Sequence, residues 1–156
     1  EDLVVRPREV QDNAVPSGNA MAATVLPKLA RLGASPPVSD QRYEMMARRS
    51  LASMVGMVGQ HPLGFGQWLT ALDQALAAPV EVAVVGDPDD DATAALLDVA
   101  QEGYHPHRLV AAGTGDVPPL LAHRPQVDGR ATAYVCVRHV CRDPVVDAQA
   151  LARLLG

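Results

Sequence analysis

The chain has 156 residues, 48% of them hydrophobic, which is enough to bury a core. Its formal net charge is −5. The 13 Lys and Arg are scattered without a basic stripe or interleaved aromatics, so no nucleic acid partner is expected. Charges or prolines interrupt every apolar run well short of the ~20 residues of a membrane span, so no membrane association is expected either.

The opening Glu1-Asp2-Leu3-Val4-Val5 has no initiator Met and none of the basic and apolar regions of a signal peptide. It reads as a cut or processed start, so the chain is expected to be the tail of a larger protein, with the remainder of that polypeptide as its partner. Two cysteines without an export signal point to a reducing cytoplasm rather than a disulfide framework. The abundance of Ala, Val, Arg, Asp and Pro beside few Lys would suit a high-GC bacterium. With one Phe, one Trp and three Tyr, an aromatic platform would have to come from outside this chain.

In chain order, Met21, Val25, Leu29 and Leu32 recur at helical spacing, with Ser17 as N-cap and Gly33 as stop. Pro27 predicts a bend or break near Val25-Leu26. After a Gly33-Ala34-Ser35-Pro36-Pro37 linker, Ser39 or Asp40 can cap a second helix through Tyr43, Met46, Leu51, Met54 and Val58, ending by His61-Pro62. The methionines Met45, Met46, Met54 and Met57 are read as helical core rather than a cofactor box. A third helix, from Phe65 to Ala78, presents Trp68, Leu69, Leu72 and Leu76.

The period changes at Pro79. Val80 to Gly86 is β-branched and short, a buried strand; Ala92 to Gly103 is helical; Leu109 to Gly113 is a second strand, giving a parallel βαβ unit. A short helical turn at most fits Asp116 to Leu121, and Val127-Asp128-Gly129-Arg130 carries turn chemistry. A third strand runs from Ala131 to Val137, and Asp147 caps a last helix from Ala148 to Leu155. The expected fold is thus mixed α and β: residues 1–78 helical, residues 79–156 a small three-stranded α/β unit.

Three segments, Asp12 to Ala23, Ala71 to Gly86 with Asp87-Pro88-Asp89-Asp90, and Tyr134-Val135-Cys136 to Cys141 with Pro144 and Asp147, keep the order in which they occur in the YyaL-type thioredoxin-domain-containing family, and the chain resembles its C-terminal part. The resemblance implies that residues 1–78 are the terminal helices of an (α/α)6 barrel of the N-acylglucosamine 2-epimerase and six-hairpin glycosidase type. Residues 79–156 would then be an appendage, with the family's thioredoxin-like cysteine pair lying upstream. It also places Asp12, Pro16, Ser17, Gly18 and Asn19 in a motif at the cavity edge, where Ala20 stands in place of an expected Ser.

On the residues alone, Asp12, Asn13, Ser17 and Asn19 have two readings. As helix caps they would contribute about 1 kcal/mol each; as a polar wall they offer the carboxylate and amide groups that bind a small carbohydrate ligand. Cys136 and Cys141, in C-x4-C spacing around His139, are either two small buried hydrophobes or a redox pair, the latter requiring Cα atoms within about 7 Å across a tight turn. Zinc would find at most three ligands there, so no metal is expected. Arg138, His139 and Arg142 are the cations expected to favour a thiolate. The acids Asp87, Asp89, Asp90 and Asp91 read first as a helix cap. His105-Pro106-His107 reads as a turn; with no Gly-x-Gly-x-x-Gly after Val85 and no P-loop lysine, nucleotide binding by this half is not supported, and no cofactor is expected. Three functions follow: part of a carbohydrate-transforming barrel with its acid and base elsewhere, a thiol-disulfide protein using Cys136 and Cys141, or a packing module without catalysis.

Overall fold

A computed structural model of the chain describes residues 9–33, 40–138 and 140–156. They form two compact units, one of residues 9–30 and 40–76, the other of residues 31–33 and 77–156. Glu1 to Val5, the 34–37 linker, Ser39 and His139 lie outside the described residues.

The first unit is helical: α1 (Gly18–Leu32), α2 (Asp40–Gln60), a 3-10 turn at Pro62–Gly64 and α3 (Gly66–Leu76). Ser17 caps α1 as expected, its Oγ accepting from Ala20 N at 3.2 Å, and Gly33 follows the helix at φ +62°, a conformation that costs glycine little. Pro27 does not break α1, which runs on as one helix to Leu32.

Leu51, Met54, Val58 and Trp68 are buried as their spacing predicts, but the rest of the buried faces differ from those expected. In α1 they are Ala20, Ala23, Thr24 and Ala30, while Met21 and Val25 are exposed. In α2 the stripe is Ala47, Leu51, Met54 and Val58, so Met54 alone of the four methionines is buried. In α3 Trp68 and Ala71 are buried, while Leu69 and Leu76 are exposed. The reason is volume. Trp68, Phe65, Met54 and Leu51 already fill one cluster, and at core packing density the face opposite such bulk takes alanines.

The second unit holds β1 (Val80–Val85), α4 (Asp91–Gln101), β2 (Arg108–Gly113), a 3-10 turn at Pro119–Leu121, β3 (Thr132–Val137), β4 (Val140–Cys141) and α5 (Ala148–Leu155). The sheet has four strands in the order β2-β1-β3-β4, one more than expected. β1 and β2 are parallel, whereas β3 runs antiparallel to both β1 and β4. Asp128 and Gly129 both take positive φ, 51° and 69°, closing a two-residue turn that brings Arg130 N to Val127 O at 3.0 Å and delivers the chain into β3.

Because strand side chains alternate, the two faces of the sheet have separate cores. Val82, Val84, Ala133 and Val135 meet Leu96 and Leu151 of α4 and α5. The opposite face, with Ala83, Val85 and Ala111, is covered by Leu120 and Leu121 of the 3-10 turn, and half-buried Tyr134 joins it. Asp90 caps α4 through Ala92 N at 3.2 Å, and Asp147 caps α5 through Ala150 N at 2.8 Å. Among the described residues, no helix is long and apolar enough to cross a membrane.

Candidate functional site

Strands β3 and β4 form a hairpin that pairs Val137 with Val140 and Cys136 with Cys141. Arg138 takes φ +50°, the left-handed conformation that two-residue hairpins demand. The flanking bond from Arg142 N to Val135 O, 2.9 Å, puts Cys136 and Cys141 at a non-hydrogen-bonded pair, where facing side chains come closest. Their Cα atoms are 3.9 Å apart and the two sulfurs are joined in a disulfide. The geometric condition for a redox pair is met. Neither cysteine is a free buried thiol.

The two cysteines differ in exposure. Cys136 is 2% exposed. Cys141 is exposed, on the outermost strand. Above them lies a cation absent from the sequence-based expectations. Arg124 Nη2 stands 3.6 Å from Cys136 Sγ and 3.9 Å from Cys141 Sγ. Its Nη1 donates to Leu120 O, which ties the guanidinium to a turn anchored by buried Leu120 and Leu121.

Arg142, expected near the thiols, instead directs Nη1 to Leu154 O at 2.9 Å, satisfying a carbonyl at the end of α5. On the other side of Cys136 its register partner on β1 is Glu81, and residues directly opposite share a face. Arg31 Nη1 lies 3.5 Å from Glu81 Oε1, so that carboxylate has its own counter-charge.

The residues of 12–19 are placed differently. Asp12 Oδ1 accepts from Ser17 N and Oδ2 from Gln67 N, both at 2.8 Å, so one carboxylate serves the amino ends of α1 and α3. Asn19 Nδ2 donates to Glu9 O at 2.9 Å, Ser17 is buried, and Asn13 is exposed with its backbone N–H bonded to Val15 O. Asp12, Ser17 and Asn19 are therefore brought together around the start of α1, each with a structural bond.

A separate cavity of about 390 Å³ in the second unit is lined by His105, Arg108, Val135, Arg142 and Leu154 among others. Burial pushes the Arg108 guanidinium below its usual value, and it donates to Ala100 O at 3.0 Å, closing the end of α4. With Arg142 on Leu154 O, two cations of this cavity are committed to helix carbonyls. Among the described residues, no cluster of three or more His, Cys, Asp or Glu could hold a metal ion.

Over nearly its whole length the chain is similar to spermatogenesis-associated protein 20. The identity is 26% to the Rattus norvegicus protein over 161 residues, covering 99% of this chain and 20% of that protein. It is 25% to the Mus musculus protein over the same shares, and 24% to the Homo sapiens protein over 98% of this chain and 20% of its relative. This is a distant likeness to a thioredoxin-domain-containing family. The chain spans about a fifth of the length of these curated relatives. All three are mammalian, so they lend no support to the bacterial origin expected from composition. No family model matches the chain, and no solved structure does.

Proposed function

We propose that the chain carries a thiol-disulfide exchange site at Cys136 and Cys141 within a longer thioredoxin-domain-containing protein. The observation that supports it is the pairing itself: two cysteines held face to face by a hairpin, one of them an exposed residue, with a guanidinium against both sulfurs. A thiolate beside a cation is favoured over the thiol, and partial exposure is what exchange with an outside thiol needs. Should the protein reside in the reducing cytoplasm, a disulfide there is typically transient and catalytic or sensing. The test is thiol titration of the full chain equilibrated in defined ratios of reduced and oxidised glutathione. Two thiols should appear and vanish together, reversibly, with far-UV ellipticity retained. A pair that opens only on unfolding, or two thiols that stay free in oxidised glutathione, would refute the reading.

A second reading concerns the first unit, and it is favoured by apolar side chains left on its surface: Met21, Val25, Met45, Met46, Leu69 and Leu76, the last 83% exposed. Exposed apolar side chains of this kind suit an interaction surface, and relatives about five times as long have further polypeptide to cover it. The cover we infer is the rest of an (α/α)6 barrel able to bind a carbohydrate. The carbohydrate part draws no support from Asp12, whose two oxygens are already engaged. A saccharide panel that leaves the melting temperature of the full-length protein unmoved would remove it.

A further inference from the structure

We propose that exchange at this pair has a direction: an incoming thiolate attacks Cys141 Sγ, Cys136 leaves as the thiolate, and Arg124 holds the charge that forms on it. The inference rests on the exchange reading above and adds the order of events and a residue that acts in it.

Attack on a disulfide needs an open path to the sulfur attacked. Cys141 is on an edge strand and exposed, whereas Cys136 is 2% exposed. A nucleophile from solvent therefore meets Cys141 first. The departing sulfur is then the buried one, and a buried thiolate is unfavourable unless a positive group stands beside it. Arg124 Nη2 is that group, and it lies nearer to Cys136 Sγ, 3.6 Å, than to Cys141 Sγ, 3.9 Å.

The other charged and titratable groups around the pair do not take its place. From β1, Glu81 is matched by Arg31; on β3, Tyr134 OH donates to Pro125 O; from β4, Arg142 is turned to Leu154 O; Arg138 is exposed at the hairpin turn and Asp143 is exposed beyond it.

The chemistry balances with a dithiol as co-reactant. Its first thiolate forms a bond to Cys141 Sγ as the Cys136–Cys141 bond breaks, and the electron pair stays on Cys136 Sγ beside Arg124. Its second thiolate then attacks its own sulfur in the mixed disulfide, releasing the Cys141 thiolate, which takes a proton from water. Two electrons have moved: the co-reactant is oxidised to a disulfide, and the hairpin is reduced to the Cys136 thiolate beside Arg124 and the Cys141 thiol. With a monothiol the second step waits for a second molecule, so an early acid quench catches the mixed disulfide, which makes it the probe.

The oxidised full chain is treated with reduced glutathione, quenched with acid and mapped by peptide mass spectrometry. The first adduct should sit on Cys141. An adduct forming first on Cys136 would overturn the direction, while no adduct and no reduction under any native condition would instead sink the exchange reading on which it rests. For Arg124, reduction of Arg124→Gln by dithiothreitol should be slowed about tenfold, and in the reduced protein the ultraviolet absorbance of the thiolate should appear at higher pH than in the wild type. Arg124→Lys, which keeps the charge, should recover most of both. If Arg124→Gln reduces at the wild-type rate with an unmoved thiolate profile, Arg124 has no role. If the Gln variant loses its fold, Arg124→Lys and the wild-type adduct map decide between the outcomes.

Discussion

Asp12→Ala should unfold the helical unit at a markedly lower denaturant concentration. Its carboxylate accepts two backbone N–H groups at 2.8 Å, from Ser17 ahead of α1 and from Gln67 in the first turn of α3. Both donors belong to helix amino ends, which have no partners inside the helix and carry the positive end of the dipole. A bond of this kind to a charged acceptor contributes about 1.5–3 kcal/mol when sheltered, and nearer 1 kcal/mol at a partly exposed site such as this. Losing the pair should thus cost about 2–3 kcal/mol, a fall in the urea midpoint of about 1–2 M. Trp68 is the one tryptophan of the chain, 1% exposed, and its Nε1 donates to Val10 O at 2.7 Å two residues before Asp12, so its fluorescence follows this unit without a second signal. Asp12→Asn keeps the shape but turns an NH₂ toward one of the two donors, and should cost at least about 1 kcal/mol. A loss below about 0.5 kcal/mol for the alanine variant would show that the carboxylate is not what holds the two helix starts. The residue would then regain its claim to a ligand.

In the second unit, Leu151 is fully buried between α5 and the sheet, and Leu151→Ala should cost about 2–5 kcal/mol by far-UV ellipticity in urea; less than about 1 kcal/mol would mean that α5 is not part of the core. Thr93 Oγ1 is buried without a hydrogen-bond partner, so Thr93→Val should leave stability unchanged or raise it by about 1 kcal/mol, and a clear loss in the same assay would reveal a partner for that hydroxyl. Reduction of the disulfide should leave the chain folded. Its two cysteines are five residues apart, a loop so short that closing it contributes only about 2 kcal/mol on the chain-entropy account, and collapse of the ellipticity on reduction would mark the bond as a structural staple.

The strands were legible because Val80–Val85 and Arg108–Gly113 are short apolar runs bounded by Pro79, Gly86 and Gly113. The caps were legible because Ser17, Asp90 and Asp147 act on N–H groups two or three residues away. Helix faces were legible only in part: Leu51, Met54, Val58 and Trp68 are buried as expected, but the face of α1 is not the expected one. Met21 and Val25 are larger and more apolar than Ala20 and Ala23, and a periodicity argument weighs bulk. The packing of α1 is instead set by what Trp68 and Phe65 leave room for, a quantity that lives on other elements. Likewise β4 has two residues, too few for any period; its signal was the spacing of Cys136 and Cys141, which places one residue of each strand and a two-residue turn between them. Arg124 carried no signal at all. It reaches the sulfurs only because its turn folds over the sheet, and in the sequence it is a lone arginine beside a proline.

The hairpin also separates the chemistry of the pair from its fold. In a disulfide that staples distant segments, breaking the bond lets the cysteines part, and re-forming it means finding the partner again. Here the pairing of Val137 with Val140 and the bond from Arg142 N to Val135 O, neither of which involves sulfur, keep the two cysteines opposite each other. The reduced thiols would remain neighbours at a high effective concentration, with no loop entropy to recover. Whether the pair is open or closed is then set by the outside thiol and by how well each thiolate is tolerated. Arg124, bound at one end to Leu120 O and at the other to the sulfurs, is the residue through which this unit can set that balance.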